Sequence, residues 1–218
     1  PTRRSSDLNH SLYALMKGTE GVYPRMPRVM KEEYPASLMM IQETGGLQAG
    51  EVFCDTSLNM TNSHTAAFLL THGARGISFS LESSLQDCSA IKRCFQERYA
   101  VDAPFFYTVY GRAELMLSEY CPINSVICNH TDRNCGLCRQ GAEYALLDVK
   151  QNRYPILCDE SCRTHILHYE VRNHIDSIPE AKQHGIQHFL CTFTMEGEAD
   201  CHRIITACKA QLQMKQGV

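Results

Sequence analysis

Between residues 51 and 110 the apolar positions follow two rhythms in turn. Val52-Phe53-Cys54 is a short unbroken run ending in Asp55, Thr56, Ser57 and Asn59, the pattern of a buried strand passing into a polar turn. Ala66, Phe68, Leu69 and Leu70 then predict a helix, with Asn62 or Ser63 to cap its start and Gly73 to stop it. Residues 76–81, Gly-Ile-Ser-Phe-Ser-Leu, return to strand texture. Leu85, Cys88, Ile91 and Phe95 keep one face of a second helix apolar behind Ser83 or Ser84. Phe105 to Tyr110 is a third strand. Strands alternating with helices at this spacing predict βαβ units and a parallel sheet.

The flanks are less regular. Pro24, Pro27 and Pro35 predict loop, and Leu38 to Ile41 a short strand before the Gly45-Gly46 turn. Tyr144–Val149 and Tyr154–Cys158, separated by Lys150 to Arg153, predict a hairpin, followed by helical segments. Ser177-Ile178-Pro179-Glu180 has the form of a capping box with proline in the first turn of a helix that stops at Gly185. Ile186–Phe193 predicts another buried strand and Asp200–Met214 a final amphipathic helix. The expected fold is α/β: an incomplete (βα) TIM-like barrel with an inserted Cys-rich loop and β-hairpin. An open doubly wound sheet is the alternative. A full barrel takes about 250 residues, and this chain has 218. The late strands and helices of the barrel would occupy residues 9–120, the Cys-rich metal-binding insertion 121–170, and a closing helix-strand-helix 171–218. The opening PTRRSSDL reads as the translation of a short-read sequencing adapter, and position 1 is not Met. Residues 1–8 are therefore expected to be foreign to the fold, with the gene running on upstream.

Composition narrows the function. Hydrophobic content of 44%, charged content of 21% and no apolar run of about 18 residues describe a soluble chain rather than a membrane one. A net charge of −3 argues against a broad nucleic-acid surface, though not against a narrow basic channel. The 12 cysteines carry the chemistry. Cys54, Cys88, Cys94, Cys191, Cys201 and Cys208 lie on apolar-periodic segments, where a thiol is a small core hydrophobe. Cys121, Cys128, Cys135, Cys138, Cys158 and Cys162 differ. Their spacing is C-x6-C-x6-C-x2-C, then C-x3-C, among turn residues such as Pro122, Asn124, Asn129, Asp132, Asn134 and Gly136. Thiols crowded where little apolar surface exists point to a soft metal, either zinc or an iron–sulfur cluster. Disulfides rank second, because they need an oxidising compartment of which the sequence gives no sign; the expected location is the cytoplasm.

Several segments resemble peptidase family U32, the collagenase-like proteases. They are VFCDTSLNMTNSHTAAFLLTHGARGISFSLESS, YGRAELMLSEYCP, CGLCR, YALLDVKQNRYPILCDESCRTHIL and GIQHFLCTFTMEGEADCHRIITACKAQL. Together they span roughly residues 51–212. The resemblance implies a fragment of a U32 protein, and relatives in this family carry a 4Fe-4S cluster on four cysteines. Those relatives support hydroxylation of RNA bases or of a quinone precursor, which would make RNA the partner of the full-length protein. It also implies the ligands: Cys121 and Cys128 as a pair seven positions apart, Cys138 before Arg139, and Cys162 at the far end of the hairpin. Cys135 and Cys158 are thiols beyond that pattern, and Cys135 is the first substitute for one of the four. Structural zinc remains the alternative cofactor.

Other polar residues are candidates for substrate contact: Asn59 and Asn62 at a strand end, with Asp55 and Ser57, and Arg112 and Glu114 beyond the third strand. Arg112, Arg133, Arg139 and Arg163 flank the cysteines and could offset cluster charge or hold an anion. Glu82 and Glu114 could serve as acid or base. Hydrolysis would need a nucleophile with its base, or a metal-bound water. The chain has no GxSxG and no HExxH. Its histidines, among them His64, His165, His168, His184 and His188, show no ligand spacing. A true collagenase-like peptidase therefore stands as the alternative to an iron–sulfur protein, with a zinc-stapled non-enzymatic fold behind it.

Overall fold

The computed structural model describes residues 21–25, 40–41, 52–128, 136–139, 143–159 and 162–214. Residues 1–8 lie outside these. Apart from the two-residue strand Arg172–Asn173, the strands in chain order are β1 Gly21–Arg25, β2 Met40–Ile41, β3 Val52–Cys54, β4 Ala74–Ser78, β5 Phe105–Gly111, β6 Glu114–Ser118, β7 Tyr144–Leu147, β8 Arg153–Cys158, β9 Thr164–Leu167 and β10 His188–Thr192. The helices are α1 Ser63–Thr71, α2 Leu85–Tyr99, α3 Ile178–Gln183 and α4 Glu198–Gln213. The chain divides into two compact units, one within Pro1–Gly111 and Asn173–Val218, the other Arg112–Arg172.

In the first unit the strands run parallel in the order β1-β10-β5-β4-β3-β2. That is the order of a ring interrupted between β1 and β2. Among the described residues these two do not pair, so the sheet is open and no TIM-like barrel is closed. The predicted strands β3, β4, β5 and β10 are parallel neighbours, as expected from their alternation with helices.

Local chemistry explains most of the elements. Asn62 caps α1, its side-chain oxygen accepting from the Thr65 amide at 2.9 Å. Ser84 and Asp87 form a reciprocal capping box on α2. Leu85, Cys88, Ile91 and Phe95 are the buried residues of α2, and Phe95 meets Phe105 edge-on at 5.3 Å. Beneath the sheet's apolar layer Phe53 and Phe106 cross at 5.9 Å, and Gly76 makes room for them. A β-carbon at residue 76 would stand 2.8 Å from the Phe106 ring. Gly111, at φ +137°, brings β5 within van der Waals reach of Thr192.

Four expectations need correction. Pro24 lies inside β1 rather than in a loop; β1 pairs only with β10 among the described residues, and an edge strand tolerates a missing amide donor. Ser177 forms no capping box, because Ile175–Ser177 is a 3-10 turn that directs its hydroxyl back to the His174 carbonyl at 2.7 Å. The segment after the hairpin is not helical but strand β9. Residues 114–118, for which no element was expected, form β6.

The second unit is a small antiparallel sheet in the order β6-β9-β8-β7. The predicted hairpin is its β7–β8 pair. Its apolar core is thin. Ile123, Ile156 and Leu167 are buried, whereas Leu115, Met116, Leu117, Val126, Ile127 and Val149 are exposed.

Candidate metal centre

The cysteine-rich region is contained in this second unit. Cys121 follows β6 at the entrance to a wide helical turn, Asn124–Cys128. The Asn124 amide donates to Cys121 Sγ at 3.4 Å, and the Ser125 amide to the Cys121 carbonyl at 3.1 Å. Cys138 sits in the single turn Leu137–Arg139. Cys158 ends β8 opposite the buried Thr164 of β9. Cys162 follows in the turn between these strands, with φ +59°.

Cys121, Cys138 and Cys158 come from three separate segments yet are neighbours. The Cys158 thiol is pushed up to about 12, first by burial and then by the adjacent Cys121 and Cys138 sulfurs, which would repel a third negative charge. A cation changes that balance, because it binds thiolates and lets them ionise together. Thiols are the donors that a soft metal takes, and a unit with so thin a core is one that a metal staple would stabilise. Among the described residues, no group of three or more Cys, His, Asp or Glu is disposed as the ligands of one ion. Cys135 and the side chain of Cys128 lie outside those residues. Cys158, which exceeds the ligand pattern implied by the family resemblance, stands with two of its members.

The residues expected to touch substrate fall elsewhere. In the first unit, Asn59 has a left-handed backbone at φ +48°, and its side chain accepts from the Ser80 hydroxyl at 2.5 Å. Asn62 is occupied as the α1 cap. Asp55 is buried, its carboxylate accepting from the Thr56 amide at 2.8 Å. Glu82 borders an open cavity of about 350 Å³ with Thr61, Ser83 and Asp87. In the second unit, Arg112 donates to the backbone carbonyls of His168, at 3.0 Å, and Tyr169. That ties the strand entrance to the loop after β9, which is a structural use of the guanidinium. Arg133 and the side chain of Arg139 lie outside the described residues.

Glu114 belongs to a network that sequence alone did not reveal. His165 Nδ1 donates to Glu114 Oε2 at 2.9 Å, while its Nε2 stands 3.6 Å from Asp159 Oδ2. The bond to Glu114 holds the imidazole proton more tightly than usual, and the two nearby carboxylates add to that effect against the opposing influence of burial. Asp159 also accepts from Arg163 Nε at 2.8 Å. Sequence spacing could not show this, since residues 114 and 165 meet only because β6 pairs with β9. The first unit holds a comparable surprise: Tyr110 donates to Glu196 at 3.1 Å, and Glu196 also accepts from the Thr194 and Met195 amides.

Among the described residues no helix is long and apolar enough to cross a membrane. No curated protein and no solved structure matches this chain. The family model described as peptidase family U32 matches residues 35–214, which take in the cysteine-bearing unit and the strands given above for the parallel sheet other than β1; the chain belongs to that family.

Proposed function

We propose that this chain is part of a U32 protein that carries an iron–sulfur cluster and supports hydroxylation of an RNA base. The observation that carries the reading is the meeting of Cys121, Cys138 and Cys158 in a unit with little core of its own. Cys121, Cys128, Cys138 and one thiol of the Cys158–Cys162 turn would hold the cluster. When bound, the cluster would supply one-electron chemistry and add about −2 of net charge with its four thiolates.

The chain's own residues would do the rest. The Asn124 amide already points at the Cys121 sulfur and would stabilise its negative charge. Cys158 is half-buried, and its strand partner Thr164 is fully buried. Zinc on the same thiols is the second reading, since the donor set suits either metal.

Anaerobic reconstitution with iron and sulfide tests the proposal. The wild-type chain should turn brown, Cys121→Ser should lose most of that colour, and Cys208→Ser should keep it. A colourless wild-type protein that takes up zinc instead would overturn the iron–sulfur reading in favour of the structural one.

A further inference from the structure

The turn between β8 and β9 carries two thiols, and a chain of charged groups closes around it. Within the turn the Asp159 amide donates to the Arg163 carbonyl at 3.0 Å, and the Cys162 amide to the Asp159 carbonyl at 3.1 Å. The Asp159 carboxylate accepts from the Arg163 amide at 2.9 Å and from its Nε at 2.8 Å. His165 faces that carboxylate from β9, and Glu114 on β6 receives its other nitrogen. Glu114, His165 and Asp159 thus run across three consecutive segments of sheet and end on the residues that flank Cys158 and Cys162.

These are not ordinary surface ion pairs. The side chains of His165, Asp159 and Glu114 are only 16%, 24% and 33% exposed. Partial shielding from water makes such contacts worth more than the fraction of a kcal/mol typical of solvent-exposed pairs. The turn they support also holds Cys162 at φ +59°. Glycine or asparagine is the usual occupant of that region, and a β-carbon there is strained. Strain that the surroundings hold in place marks a functional constraint. What cysteine offers at this position, and glycine does not, is a thiol.

We propose that Glu114, His165 and Asp159 form a positioning network whose task is to present the thiols of the Cys158–Cys162 turn to a soft metal centre. Asp159 braces the turn from within, His165 anchors Asp159 to β9, and Glu114 fixes the imidazole by holding its far nitrogen. The inference rests on the reading of these thiols as metal ligands. It reassigns Glu114 from substrate contact to the support of those ligands.

Cobalt(II) is the probe, because it needs only thiolates and no sulfide. The metal-free full chain is titrated anaerobically, and the thiolate-to-cobalt charge-transfer band reports both affinity and the number of sulfurs bound. His165→Ala and Glu114→Gln should each weaken cobalt binding by about tenfold to a hundredfold, the usual range for groups that orient ligands. His165→Gln, which can still donate to one carboxylate, should recover part of the loss. Far-ultraviolet circular dichroism checks folding, and if His165→Ala unfolds, Glu114→Gln on the edge strand carries the test. Wild-type affinity and band intensity in Glu114→Gln and in any folded His165 variant would overturn the proposal, as would the absence of a cobalt band from the wild-type chain. Iron and sulfide reconstitution separates the two ideas. A wild-type chain that binds cobalt, with variants that bind it weakly, supports the network even if no brown cluster ever forms.

Discussion

Acid should destabilise this protein through one histidine. His188 opens β10 in the first unit, is 6% exposed, and packs its ring 5.7 Å from Phe106. Burial, helped by the positive charge of Lys92 and opposed by Asp102, pushes its pKa down from 6.5 to about 4. Below pH 6.5 the unfolded chain therefore takes up a proton that the folded chain refuses. Stability is fully present above the unfolded value and is lost as pH falls towards the folded one. Linkage puts the loss at about 1.4 kcal/mol at pH 5.5 and about 2.5 kcal/mol at pH 4.5, against almost nothing at pH 7.5. The assay is urea denaturation of the metal-free wild type and His188→Gln at these three pH values. Carboxylates titrate alike in both proteins, so the difference between them isolates His188. The variant should be less stable at pH 7.5 but should lose less on acidification, by those amounts. Parallel pH profiles would refute the reasoning and show that His188 is protonated inside the fold.

Two further outcomes follow from packing and capping. Gly76→Ala should destabilise the first unit by about 1–3 kcal/mol in the same denaturation assay, because the added methyl would stand 2.8 Å from Phe106, 3.0 Å from Phe53 and 3.1 Å from the Pro104 carbonyl in a filled core. Asn62→Ala should cost about 1 kcal/mol through the lost α1 cap and leave cobalt binding unchanged, as expected of a capping residue outside the unit that carries the clustered cysteines.

What could be read from the sequence was local. The Asn62 and Ser84 caps involve partners three residues away, and the β3, β4, β5 and β10 strands are short apolar runs bounded by turns. Their parallel order followed from the helices between them. The β7–β8 hairpin was legible for the same reason. Strand β6 was not, because Leu115, Met116 and Leu117 are exposed in succession and give no alternation to read. Strand β9 has four residues, two of them polar, and is a strand only because β8 and β6 flank it. At Ser177 a valid local signal lost to its neighbours: the preceding 3-10 turn took the hydroxyl that would have capped α3.

The cysteines show the same division more sharply. Their chain order predicts a metal site, but the four proposed ligands have to be chosen from six thiols, and spacing cannot choose between two residues that flank one turn. The fold separates their roles. Cys158 ends a paired strand beside Cys121 and Cys138, and its raised pKa follows from that crowding. Cys162 is held by backbone strain and by the Asp159–Arg163 clasp. A thiol that is crowded by others gains most from a cation, whereas a thiol held under strain has already met part of the ordering cost of binding. On the proposed reading both properties favour ligation, by different routes, and the turn would complete the four-sulfur site from either side of Asp159.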